Sequence, residues 1–207
     1  MAMSYKALPS YTLRTGTSFC RYGQGLPERV KPNSSALDVM TDLKRVKAVT
    51  IRPDAAMDTA LQKMIHAEVR LLLVTDNEDN VLGVITARDI LGEKPVHYLA
   101  RTRIRREDLL VEHVMTPNEK IQALHIDDVL HASVGDIILT LKEAGRQHAL
   151  VLENPRGGEH VIRGIFSTTQ IGKQLGVDIQ PSGKVQSFAE LEAVLMEDQI
   201  ERRLIAS

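Results

Sequence analysis

Val81-Leu82-Gly83-Val84-Ile85-Thr86-Ala87-Arg88-Asp89 is the stretch on which the reading of the fold turns. An apolar strand runs into a hydroxyl residue, and a carboxylate follows three positions later, where a helix begins. Such a junction offers free backbone N–H groups to a small anionic or polyhydroxy ligand. The chain repeats the layout as Gly164-Ile165-Phe166-Ser167-Thr168-Thr169-Gln170, with an amide in place of the carboxylate.

Working back from this stretch, Asp76-Asn77-Glu78-Asp79-Asn80 reads as a turn by composition. Val69-Arg70-Leu71-Leu72-Leu73-Val74 is an apolar run short enough for a strand buried on both faces. Ahead of it, Pro53 and Asp54 open a helix whose Met57, Ala60, Leu61, Met64 and Ile65 form one apolar stripe. A strand is expected around Val46 to Ile51, and Ser34 or Ser35 caps a short turn through Leu37, Val39 and Met40.

The same order recurs further along. Val114-Met115-Thr116 follows Val39-Met40-Thr41 by 75 positions. Val134, Ile137, Ile138 and Leu141 follow Met57, Ala60, Leu61 and Met64 by 77, with Ser133 as helix cap. His148-Ala149-Leu150-Val151 follows Leu71 to Val74 by 77, and Gly164 follows Gly83 by 81, the extra residues falling in Glu153 to Gly158. A near-constant offset through four elements marks two copies of one strand–helix–strand–strand–helix unit. Each copy has a small sheet with helices on one side and needs a cover for the other, so the two are expected to pack about a pseudo-twofold axis as an α+β fold. The cleft between them would carry the starts of the final helices.

The flanks differ in kind. Residues 1–35 read as a basic N-terminal arm, with Lys6, Arg14, Arg21, Arg29 and Lys31 and a scatter of Gly and Pro. The first copy is assigned to 36–106, the second to 107–178 and a helical tail to 179–207. In the tail, Ser187 to Glu190 has the pattern of a capping box, and the helix should reach about Leu204. Glu93 to Glu112 reads as a linker whose Arg101, Arg103, Arg105 and Arg106 form a solvated face or grip phosphates.

Composition removes several classes of function. Aromatics make up 3% with no Trp, and 26 Lys and Arg stand against 27 Asp and Glu, neither a stacking platform nor a basic surface for nucleic acid. One cysteine excludes a disulfide framework. No apolar run approaches the roughly 20 residues that span a bilayer. The chain is expected to be cytoplasmic and free of membrane. The seven histidines show no metal-protease spacing and no partnered nucleophile, so no catalytic residues, metal or required cofactor are expected.

The repeated order, an apolar-Met-Thr lead and a hairpin closing in Gly-apolar-apolar-[Ser/Thr]-x-x-[Asp], resembles the CBS domain pair, or Bateman module, over about residues 36–178. The resemblance implies a cleft that binds an adenosine compound: AMP, ADP or ATP, with S-adenosylmethionine and NAD as alternatives. It places Asp89 on the ribose hydroxyls and Thr86 on phosphate or ribose. An ionised carboxylate accepts from both hydroxyls of a cis-diol, which agrees. Arg88 would favour a phosphate tail, Thr50 and Ile51 would line the adenine slot, and Leu72 would supply apolar wall. A weaker second site would comprise Ser167, Thr169 and Gln170, since an amide lacks the charge-assisted part of the ribose contact.

The expected function is that of a regulatory module, not an enzyme, which binds an adenosine nucleotide and passes a conformational change to a protein target, commonly as a homodimer. The alternative is an interaction scaffold with vestigial ligand sites.

Overall fold

The computed structural model describes residues 25–154, 160–177 and 184–205. Much of the basic arm and the tip of the second hairpin therefore lie outside the described residues.

The first copy comprises β1 (Thr41–Asp42), β2 (Thr50–Ile51), α1 (Met57–His66), β3 (Leu71–Thr75), β4 (Val81–Thr86) and α2 (Ala87–Leu91). α3 (Glu93–Arg101) and α4 (Val111–Val114) lead into the second copy. That copy comprises β5 (Thr116–Pro117), β6 (Leu124–His125), α5 (Ile126–Val129), α6 (Val134–Glu143), β7 (His148–Glu153), β8 (Val161–Ser167) and α7 (Thr168–Leu175), and α8 (Lys184–Ile205) closes the chain. The architecture is α+β, with two four-stranded sheets.

The lead strands are exchanged between the copies. β5 pairs antiparallel with β4, Gly83 opposite Pro117 and Val84 opposite Thr116. β1 pairs in the same way with β8, Thr41 opposite Ile165 and Asp42 opposite Gly164. The sheet orders are thus β2-β3-β4-β5 and β1-β8-β7-β6. A register shift falls at Val74/Thr75 in one hairpin and at Val151/Leu152 in the other, so the duplication extends to backbone irregularities.

Packing follows the exchange. Leu109, Val111 and Val114 are buried with Ile51, Met57, Leu72 and Ile85 in the core of the first copy. Ala36, Val39 and Met40 are buried with Ile138, Leu141 and Phe166 in the core of the second. Between the sheets, Leu71, Leu73, Val84 and Leu150 form a third apolar layer. Even the long helices are started from across the boundary: the Met57 N–H donates to the Leu109 carbonyl, and the Val134 N–H to that of Ser34.

Several expectations need amendment. α1 begins at Met57, its N-cap Ala56 making no side-chain bond, because the exchanged segment supplies the acceptor. Ile65 is 62% exposed, since eight residues from Met57 it has rotated by about 80° to the rim of the buried stripe. Only Thr50–Ile51 of the Val46 to Ile51 segment is strand: the Arg45 and Val46 N–H groups both donate to the Asp42 carbonyl, in a turn that delays the ladder. Ser133 does cap α6, through a reciprocal pair of bonds with Asp136. Ser35 caps its turn through the Leu37 N–H.

The interval Glu93 to Glu112 is more than a linker, because α3 packs Tyr98 and Leu99 against the first core. Arg105 pairs there with Glu107 and Asp108. α8 begins at Lys184, so Ser187 lies inside the helix and not at its cap. Phe188 and Leu191 are buried in the second copy's core, and Glu192 pairs with Lys142, so α8 packs on its own chain.

Candidate functional site

The exchange of β5 brings two polar segments together at the end of β4. Thr86 leaves the strand extended and caps α2, its hydroxyl accepting from the Asp89 N–H at 3.2 Å. Asp89 Oδ2 in return accepts from the Thr86 N–H at 2.8 Å and from its hydroxyl at 2.7 Å. Lys94 Nζ lies 2.7 Å from Asp89 Oδ1 and also donates to Thr116 Oγ1 at 3.0 Å and to the Val114 carbonyl at 3.2 Å. One ammonium therefore ties the carboxylate of the first copy to the lead strand of the second.

These groups form one wall of a cleft of about 360 Å³. Leu71, Val84 and Arg88 continue the first copy's side. The opposite side comes from the second copy: Lys120, Ile121 and Gln122 after β5, and Gly145 to His148 at the start of β7. Arg146 holds Gln122 in place, donating to its carbonyl and to its side-chain oxygen, each at 3.2 Å. Burial pulls the pKa of His148 down to about 4, reinforced by Arg70 and opposed by Asp89, so its imidazole is neutral at pH 7. The cleft combines an acceptor for hydroxyls, an apolar wall and several cations, a set suited to a ribose carrying phosphate.

Thr86, Arg88 and Asp89, singled out in the sequence, stand together in this cleft. Thr50, Ile51 and Leu72 do not join them. Leu72 is fully buried and Ile51 nearly so, both in the first core, because alternation along β3 turns Leu71 and Leu73 toward the cleft layer and Leu72 toward the helices. Thr50 lines a separate cleft of about 750 Å³ near the hairpin turns. The wall expected from Leu72 is supplied by Leu71, and the far side by the other copy. Lys94, Thr116, Gln122, Gln147 and His148 were missed. The signal for Thr116 was its place in the repeated Val-Met-Thr lead.

In the second copy the corresponding groups are differently engaged. Ser167 makes no cap bond to α7, and Thr169 is exposed. Gln170 donates to Gln174 Oε1 at 2.9 Å, and Gln174 donates to the carbonyls of Pro27 at 2.7 Å and Asp38 at 2.8 Å. The residue in the place of Asp89 thus helps to anchor the segment before β1. Gln174 is 3% exposed, so Gln174→Ala should strand these carbonyls and lower stability by about 2 kcal/mol, read as a loss in a urea or thermal melt.

A tandem pair of β-α-β-β-α units with exchanged lead strands and a polar cleft between them defines the class of protein. Residues 30–95 match the CBS domain family model. A CBS-domain containing protein from Agrobacterium tumefaciens has the same fold, with a TM-score of 0.50 at 21% identity over 75% of this chain and 98% of that one. The chain therefore carries a match to the CBS domain model over residues 30–95, and its fold is that of a CBS pair. Other similar structures are the CBS domain pair of protein MJ0100 in complex with 5′-methylthioadenosine and S-adenosyl-L-methionine (TM-score 0.48, 18% identity, 70% and 98% covered) and CBSX2 in complex with AMP (0.47, 20%, 67% and 93%). No curated protein matches the sequence.

Proposed function

We propose that this chain is a regulatory module that binds an adenosine nucleotide in the cleft at Asp89 and signals occupancy to a protein target. The observation that carries the reading is the convergence of Thr86 and Asp89 from one copy with Thr116, Gln122 and Gln147 from the other around a single cleft. Asp89 would accept the ribose hydroxyls, Arg88 and Lys120 would face the phosphate, and the backbone between Ile121 and Gln147 would hold the base by shape. A ligand seated there touches both copies, so it favours whichever relative orientation gives the better fit, by no more than its differential affinity for the two. A homodimer is part of the same reading.

Gln170 is committed to Gln174, so one nucleotide per chain is expected. Isothermal calorimetry of the full chain with AMP, ADP, ATP, NAD and S-adenosylmethionine tests this. At least one should bind with micromolar affinity and a stoichiometry near one. The absence of both heat and a thermal shift with all five would contradict the reading.

A further inference from the structure

His148 opens β7 at the place where the first copy has Leu71, so an imidazole stands where the duplicated unit has an aliphatic side chain. It lines the Asp89 cleft, opposite Ser167 across the β7–β8 ladder. No hydrogen bond joins its ring to a described residue. The charges around it are mixed. Arg70, just ahead of β3, disfavours the imidazolium, and Asp89 on α2 favours it. Arg88 on α2, Lys94 on α3, Lys120 after β5 and Arg146 on its own segment share the cleft. Lys94 is held by Asp89 and Arg146 by Gln122, so Arg70 and Asp89 act on the ring in opposite senses and the phosphate of a ligand would add a second anion to the cleft.

We propose that His148 makes phosphate recognition proton-linked: neutral in the free protein, it takes up one proton when the phosphate of a nucleotide enters the cleft. The preference for phosphorylated over uncharged adenosine compounds then grows as pH falls. The inference rests on the nucleotide reading of the cleft. Its physical basis is that an opposite charge within about 4–6 Å raises the pKa of a cation by roughly 1–3 units, and a phosphate brings one or two such charges. The sign follows from linkage. When the complex binds more protons than the free protein, affinity rises as pH falls, by up to about tenfold per unit between the two pKa values.

The test is calorimetry of the full chain with AMP and with adenosine, in buffers of different ionisation enthalpy at pH 7.5 and 6.0. It compares the unmodified protein with His148→Leu and His148→Gln. Leu is the side chain that the first copy carries at this place, so that variant suits the local packing. Titration of the AMP phosphate itself, near pH 6, is coupled to that of His148, so the proton counts compared are those of the whole complex. At pH 6.0 the unmodified protein should take up as much as about one more proton per AMP than either variant, and at pH 7.5 a small fraction of that. Its preference for AMP over adenosine should rise by about two- to tenfold more between the two pH values. Equal proton counts in all three, or as large an uptake with adenosine as with AMP, would overturn the role of His148 while leaving nucleotide binding intact. Failure of the unmodified protein to bind AMP, ADP, ATP, NAD or S-adenosylmethionine at either pH would overturn the reading of the cleft and this inference with it, whereas binding of uncharged adenosine alone would overturn only this inference. If both variants fail to fold, the pH titration of the His148 ring resonances of the unmodified protein, with and without AMP, decides the matter: a pKa unmoved by AMP would overturn the role.

Discussion

If AMP occupies the proposed cleft, Asp89→Ala should weaken its binding by about a hundredfold or more and lower the stability of the chain by about 1 kcal/mol. The carboxylate already accepts two bonds from Thr86 on Oδ2 and the Lys94 ammonium on Oδ1, so Oδ1 retains acceptor capacity for one ribose hydroxyl and Oδ2 gains it when the Thr86 hydroxyl turns to the ligand. Bonds to a charged acceptor contribute roughly 1.5–3 kcal/mol each, so losing the pair costs two or more decades of affinity. The stability loss is smaller, because it comes from the N3 half of the α2 capping box and an ion pair that is partly exposed. Asp89→Asn separates the two effects, retaining a side-chain acceptor while losing the charge, with an intermediate loss of affinity. Comparing AMP with 2′-deoxy-AMP on the unmodified protein and on Asp89→Ala forms a cycle: the deoxy ligand should bind more weakly to the former only. Calorimetry supplies the affinities, and a thermal melt the stability.

Gly83→Ala destabilises the fold by about 3 kcal/mol, whereas Gly164→Ala, the same change in the other copy, costs about 1 kcal/mol. A Cβ on Gly83 would lie 2.4 Å from the Thr116 carbonyl oxygen and 3.1 Å from Pro117 Cα. Both are backbone atoms of the exchanged strand β5, held in register with β4, so neither can retreat without breaking the pairing. At Gly164 the contacts are with Met40 Sδ and Cγ, atoms of an unbranched side chain that can turn to another rotamer. Urea unfolding of the two variants measures the difference. Because β5 carries Thr116 into the cleft, Gly83→Ala should also weaken AMP binding, while Gly164→Ala should not.

The contrast between these glycines shows what the sequence could and could not convey. The duplication was legible because four elements recur at nearly constant offset, and the Thr86–Asp89 junction because a hydroxyl and a carboxylate three apart after an apolar strand mark a capped helix start. The exchange of lead strands was not legible. β1 and β5 are two residues each, too short for any period, and nothing in Val-Met-Thr says which sheet it joins. Thr50, Ile51 and Leu72 were placed at the site by the resemblance, whereas Thr50 lines a separate cleft and Ile51 and Leu72 lie in the first core. In the run Leu71-Leu72-Leu73-Val74 every residue is apolar, so alternation could not reveal which of them faces the cleft. Lys94 was hidden for another reason: its partners Asp89, Val114 and Thr116 meet only once α3 folds back. The change from Asp to Gln at position 170 was visible, but its engagement with Gln174 depends on a segment that precedes it by more than a hundred residues.

The central claim is that one ligand site is built jointly by the helix start of the first copy and the strand start of the second. Amide chemical-shift mapping of the ¹⁵N-labelled full chain during titration with AMP tests it most directly. Thr86 to Asp89, Ile121, Gln122 and Gly145 to His148 should shift together along one binding isotherm, while Thr169 and Gln170 remain in place. Shifts confined to one copy, or centred on Ser167 to Gln170, would contradict it.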